Sequence, residues 1–392
     1  MDLQRLRKIT TQYEPELRML IALSGPSGHK ATPGIPMQEW SALDEDRFVQ
    51  LLTSHKITSL VLPRLAPYKD QIPENLYQRI KTTSKQQAGQ ALAQIEQTIR
   101  LQQLFKDHGI PLLVFKGNVL SQMVYGDPSL KNSKDIDLLI PLSHAPKATD
   151  ILQQEGYRMT YPRIPLSSKQ RKANYTISHH YGFYHPAKRV HLELHWNLTN
   201  PGSLLPLDFE GLYQRSVQVR LNQHPVRTPG HVDHLIFLAV HGSIHQWCRL
   251  NWLWDFTGFL ELTGSEEQEQ ARERMQRLGL EKCLQQACLT SHLLYGIPAD
   301  DKKLQTHRLS HRFAAKPLQA IRDTRPAEAA EKLKDLPYRL SMRRSWRYKF
   351  HLIFRLRTHH TNWAVVRLPD YLFFLYYPLR PLLWLKEVFK KR

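Results

Sequence analysis

Six residues, Asp135 to Ile140, reading Asp-Ile-Asp-Leu-Leu-Ile, constrain this chain more than any other stretch. Ile136, Leu138, Leu139 and Ile140 make a buried strand, and the alternation of side chains along a strand places Asp135 and Asp137 on one face. Two ionised carboxylates that close raise each other's proton affinity unless a cation stands between them, so the pair asks for a divalent metal. Ligands that are all oxygen favour magnesium or manganese. The plainer alternative has Asp135 capping the start of the strand and Asp137 on a solvated edge. What precedes the strand weighs against it. Leu112 to Phe115 form an unbroken apolar run, as a strand buried on both faces would, and Gly117 ends it with Lys116 left at the turn. Val119, Leu120, Met123 and Val124 then fall at helical spacing until Gly126-Asp127-Pro128 stops the helix.

Lys116-Gly117, Tyr125, Lys131 and Asp135 to Ile140, in that order, resemble the uncharacterised nucleotidyltransferase family, a bacterial branch of the polymerase-beta-like nucleotidyltransferases. The resemblance implies an α/β (α+β) fold, a small mixed sheet enclosed by N- and C-terminal helices. It implies an enzyme that moves NMP from an NTP to a hydroxyl or phosphate acceptor, using Mg2+ or Mn2+ held by an Asp-x-Asp pair and a third carboxylate. Two positions depart from the pattern. Lys131 stands where the branch carries Arg, keeping the charge but losing the bidentate fork. Lys116-Gly117 replaces the Gly-Ser turn whose backbone donors hold the triphosphate elsewhere in the superfamily.

For the third carboxylate the sequence offers Glu193. Val190, Leu192 and Leu194 alternate with His191, Glu193 and His195, so a strand buries the first three and shares one face among the others. The run Tyr175 to Tyr184 also reads as strand, with His185 to Lys188 turning the two into a hairpin. His191, Glu193 and His195 suit zinc as well, but no second ligand-rich segment is apparent, which favours magnesium.

A second block, His231 to Leu262, reads as two apolar helices broken near Gln246. His241, His245, Trp247, Arg249, Leu250 and Asp255 match what the resemblance leads one to expect there, and related helices line the nucleotide or acceptor site. Arg249 is thus a candidate nucleotide contact beside Lys116, Gly117 and Lys131, while Asp255 either joins it or pairs Arg249 to orient the helices. His241 and His245 share a helix face, but Gly242 stands where a zinc protease has its glutamate, so a packed, hydrogen-bonded histidine pair is expected.

Elsewhere the chain reads as helix: a cap over 1–109, ahead of the core at 110–200, with Leu92, Ile95, Ile99 and Leu104 along one side of a long helix. A helical domain at 201–335 packs on the core, and strands stop after Gly202. The Gly25 to Gly28 loop lacks the spacing of a phosphate-binding P-loop. Lys169, Arg171 and Lys172 read as a basic loop, either steering a nucleotide or simply solvated.

The formal net charge of +20 points to a polyanionic partner, an acidic membrane surface or a nucleotide. Half of it sits in 341–392, where twelve Lys and Arg face Asp370 and Glu387 among twelve aromatic residues. Such a segment, within the basic aromatic stretch 336–392, suits an anionic membrane surface as a peripheral contact. Docking of its aromatic face on the body is the competing reading. Nucleic acid fits less well, because single strands are usually held in a folded groove. Three cysteines are too few for a disulfide framework, no signal-like segment opens the chain and no run of eighteen apolar residues occurs. The expected location is the cytoplasm, with optional contact on the inner face of the membrane. The acceptor is open: a glycan, a lipid-linked group or a peptide are candidates. A phosphotransferase acting on a peptide or sugar with the same fold, or a binding module without catalysis, are the alternatives.

Overall fold

The computed structural model describes residues 3–25, 40, 43–131, 133–200, 202–298, 309–324, 335–353 and 360–389. The loop expected from Gly25 to Gly28 lies outside these beyond Gly25, as do Lys390 to Arg392. Among the described residues five α-helices lead in: α1 Leu3–Thr10, α2 Pro15–Leu23, α3 Glu45–Ser54, α4 Thr58–Leu65 and α5 Glu74–Asp107. Then come β1 Leu113–Val114, α6 Gly117–Tyr125, β2 Asp135–Leu139, α7 Ala145–Gln154, β3 Arg158–Tyr161, α8 Ser168–Ile177, β4 His180–His185 and β5 Val190–His195. These five strands form one mixed sheet in the order β1-β2-β5-β4-β3, with β2 and β5 parallel and the other pairs antiparallel.

Alternation along β2 divides the sheet's surroundings. Ile136 and Leu138 face one core with Ile95, Leu101 and Phe105 of α5 and Ile151 and Leu152 of α7. Leu139 faces the other way, with Leu113 and Phe115, into a core shared with Phe237 and Leu238. Asp135 and Asp137 are therefore on the side of α10 His231–Ile244 and α11 Leu250–Leu262. That second core also takes in α1 to α4, α12 Ser265–Leu278 and α13 Glu281–Tyr295, so helices from both ends of the chain close over one face of the sheet.

Several expectations are corrected. The buried stripe of α5 runs through Ala91, Ile95, Leu101 and Phe105, whereas Leu92 is exposed, one position round the helix from where spacing put it. Tyr175 to Ile177 are helical: Ser167 caps α8, its hydroxyl accepting from the Gln170 amide while the Gln170 side chain accepts from the Ser167 N–H. Such a reciprocal cap starts a helix at a point where the apolar alternation suggests a strand. Lys169, Arg171 and Lys172 thus sit on α8, not in a loop. Strands also do not stop after Gly202. Beyond α9 Phe209–Gln214, β6 Val217–Leu221 and β7 His224–Thr228 form a hairpin, turned by Asn222 and Gln223 at φ 45° and 67°. Two successive left-handed residues give a turn that matches strand twist, and neither residue here is the glycine that would have announced it.

The C-terminal segment docks part of its aromatic face. Trp363, Phe373 and Tyr376 are buried against Ile164, Leu166, Ala173 and Ile177, and Asp370 accepts from Ser167 and from the Lys169 amide. Tyr371, Phe374, Tyr377 and Leu382 remain exposed. Among the described residues no helix is long and apolar enough to cross a membrane.

Candidate active site

Parallel pairing of β2 with β5 sets Asp137 directly beside Glu193, and Asp135 beside His191. The third carboxylate expected from the sequence therefore stands one strand away from the pair. Behind them, β1 leads into α6 through Lys116 at φ 74° and Gly117 at φ 53°. Left-handed backbone at Lys116 costs a non-glycine residue about 1–3 kcal/mol, and here it turns the side chain back to the sheet. Its Nζ donates to Asp137 Oδ1 at 2.9 Å and lies over the rings of Phe115 and Phe237.

His195 closes the cluster. Its Nε2 is 3.1 Å from both Asp137 Oδ1 and Glu193 Oε2, and Phe115 packs edge-on against the ring. Burial alone would lower the His195 imidazole, but the hydrogen bonds with Asp137 and Glu193 outweigh it and hold it above its ordinary value. Burial likewise works against ionised Glu193. The hydrogen bond and charge of His195, with His180 and Lys116, prevail and keep Glu193 below the usual carboxylate range. Asp135 has no such hydrogen-bond partner among the described residues and is pushed up to about 7, first by burial and then by Asp137 and Glu193. That is the excess negative charge that a bound cation relieves, so the donor set fits a divalent metal. One ligand atom each from Asp137, Glu193 and His195 lies within 4.8 Å of the others.

The carboxylates open into a cleft of about 210 Å³ lined also by Lys56, Lys131, Phe237, His241, Arg249 and Trp252. A larger cavity of about 600 Å³ lies elsewhere, between Arg215, Asp233 and Arg274, whose charges are already paired with one another. Arg249 borders the cleft with its guanidinium over Trp252, 5.2 Å from the ring centre. It does not orient the helices through Asp255. Asp255 is buried between Lys131, whose ammonium bonds Oδ2, and Tyr125, whose hydroxyl donates to Oδ1 at 2.9 Å. Lys131 thus lines the cleft with its charge committed to a carboxylate.

Other histidines also depart from expectation. His241 and His245 meet ring against ring at 4.6 Å, with Trp252 packed on both, where a hydrogen bond was expected. His191 shares the face of Glu193 and His195, as the alternation predicts, but it is exposed, rests on Tyr184 and stands apart from the clustered ligand atoms. A second ligand-rich segment does exist: His179 and His180, at the start of β4, meet His195 because antiparallel pairing aligns His180 with it. Burial lowers both imidazoles, His180 to about 4. The adjacent pair of histidines was the signal in the sequence, but reading it needs the β4–β5 register. Lys56 and Trp252 carried no signal at all.

The model of the family described as "Uncharacterised nucleotidyltransferase" matches residues 41–296, which include β1 to β5 and both α10 and α11. No curated protein matches. Two solved structures are similar over 47% of this chain: the antibiotic-resistance factor ANT(2'')-Ia, at 12% identity and a TM-score of 0.34 over 91% of its length, and an antigenic nucleotidyltransferase-like protein from Paracoccidioides brasiliensis, at 15% identity and 0.29 over 88%. Scores that low add no weight. The sequence match spans well over half of the chain and includes every carboxylate of the cluster, and on it this chain belongs to the uncharacterised nucleotidyltransferase family, a family of transferases.

Proposed function

We propose that the chain transfers NMP from an NTP to a hydroxyl or phosphate acceptor, with Asp135, Asp137 and Glu193 as its metal-binding carboxylates. The observation that carries this reading is the register of β2 and β5, which sets Asp137 beside Glu193 at the floor of a cleft rimmed by cations. Asp135, Asp137 and Glu193 would hold Mg2+ or Mn2+, which when bound neutralises phosphate charge and favours the ionised form of the attacking oxygen.

The remaining roles fall to the chain itself. Lys116, Lys56 and Arg249 face the cleft and attract a polyphosphate. Gly117 opens α6 at the same place, and the first amides of a helix are free to donate to an anion. Trp252 and Phe237 offer flat apolar surface for a base. His195 bridges Asp137 and Glu193 and fixes both carboxylates, keeping Glu193 ionised and ready to hold a cation, while the proton of a hydroxyl acceptor passes to solvent water. Attack of the acceptor oxygen on the α-phosphorus forms the new P–O bond, breaks the bond to the β-phosphate oxygen and releases pyrophosphate.

The test is to incubate the protein with α- or γ-labelled NTP, Mg2+ and pooled candidate acceptors. Label from the α-phosphate alone is expected on the acceptor, and none with Asp137→Asn, whose far-UV spectrum stays native. Label from the γ-phosphate alone would instead identify a phosphotransferase on the same fold.

A further inference from the structure

Three imidazoles converge next to the carboxylates, and only His195 bonds both Asp137 and Glu193. His179 ends the turn before β4, His180 opens β4 and His195 closes β5. The His180–His195 register brings them together, and one ligand atom from each lies within 4.8 Å of the other two. The ring centres are 4.4, 5.0 and 5.3 Å apart.

We propose that His179, His180 and His195 form a transition-metal site, with Glu193 as the fourth ligand, alongside the oxygen site of Asp135 and Asp137. Glu193 borders both: its Oε1 is 3.6 Å from His180 Nε2 and its Oε2 is 3.1 Å from His195 Nε2. The hydrogen bonding of the cluster is otherwise poor. His180 Nδ1 has the two ring nitrogens of His179 as neighbours, at 3.3 and 3.4 Å. His195 is 1% exposed, and its Nδ1 is buried with no hydrogen-bond partner among the described residues. The His241–His245 pair, by contrast, gathers no third ligand among the described residues.

Donor chemistry then decides the ion. Imidazole suits zinc, cobalt and other first-row transition metals, whereas magnesium prefers oxygen. Three histidines and a carboxylate can complete a four-coordinate zinc-type site. A histidine site touching a magnesium-type site through one shared glutamate would hold two unlike ions in one cleft. This goes beyond nucleotidyl transfer and does not depend on it, because the nitrogen ligands would bind their ion whether or not an NTP enters.

Cobalt is the probe, since its visible d–d absorption becomes intense when the ion is four-coordinate, unlike that of the hexaaqua ion. Titrating Co2+ into the whole chain should give an absorption that saturates at one equivalent, is displaced by Zn2+ and persists in excess Mg2+. His179→Ala and His180→Ala should each weaken binding at least about tenfold, as disturbing even an outer partner does. His191→Ala, on the exposed neighbour, should leave it unchanged. If an alanine variant melts early, His179→Gln and His180→Gln keep polar bulk and must show the same loss. Asp135→Asn should retain the cobalt spectrum while losing NTP binding, so failure of this site and failure of the carboxylate site are separable. No stoichiometric absorption, an unchanged spectrum in the His179→Ala/His180→Ala double variant, or displacement by Mg2+ would each overturn the proposal.

Discussion

Lys131 shows how much a single side chain's partner matters. Spacing marks it as a cation ahead of the Asp pair, suited to phosphate, yet its ammonium lies against buried Asp255, with Tyr125 on the other carboxylate oxygen. Removing one member of a buried ion pair strands the other, at a cost of about 3–5 kcal/mol. Lys131→Met should therefore lower stability by about that much in denaturant unfolding, and Lys131→Met/Asp255→Leu should recover most of it. A loss below about 1 kcal/mol in the single variant would mean that the pair behaves as a surface one. At this scale the sequence was legible where chemistry follows the strand period. Asp135 and Asp137 were readable because alternation alone puts them on one face, whereas Glu193 joins them through the pairing of β2 with β5, on a strand that the family resemblance led one to seek. Partners such as Asp255 for Lys131, 124 positions away, follow from helix packing that local spacing does not encode.

Elements were legible where a breaker or a long period announced them and illegible where capping or register chose. The break between α10 and α11 shows the first case. Gln246 and Trp247 take left-handed φ of 55° and 54°, and the Trp247 amide bonds back to Gly242 at 2.8 Å. A Cβ on Gly242 would stand 2.4 Å from the Trp247 ring, so glycine between the two histidines is a packing requirement, independent of any metal. Trp247 Nε1 then donates to Gln286 of α13, fixing the elbow that carries Arg249 and Trp252 to the cleft. The β6–β7 hairpin and the start of α8 show the second case. Their turn and cap use Asn222, Gln223, Ser167 and Gln170, residues common in any loop.

For the molecule as a whole, burial of neutral histidines makes stability depend on pH. His55 accepts from the Leu250 amide at 3.2 Å and is pushed down to about 3, chiefly by burial; His234, bonded to the Pro229 carbonyl, is pushed down to about 4 by the same cause. Unfolded imidazoles take a proton near pH 6.5, so between there and pH 4 the folded state binds fewer protons than the unfolded one. Stability present above about 6.5 is then lost as pH falls, by up to about 1.4 kcal/mol per unit for each histidine. Asp135, pushed up to about 7, works in the opposite sense over part of that range and offsets one of them. Denaturant unfolding should show lower stability at pH 5 than at pH 7, with a shallower dependence in His55→Gln. Equal stability at the two pH values, or the same dependence in the variant, would count against it. His55 also touches the cleft's architecture, because its neighbour Lys56 lines the site and the Asn251 amide bonds the His55 carbonyl. Helices from both ends of the chain thus help to shape one face of a sheet whose chemistry sits in five strands. The central claim is that this face binds a metal-bound NTP through Asp137. Calorimetry with each NTP, with and without Mg2+, on wild type and Asp137→Asn tests it most directly. Mg2+-dependent binding by the wild type, lost in a folded Asp137→Asn, is the predicted result; no binding by the wild type, or equal binding by the variant, would contradict it.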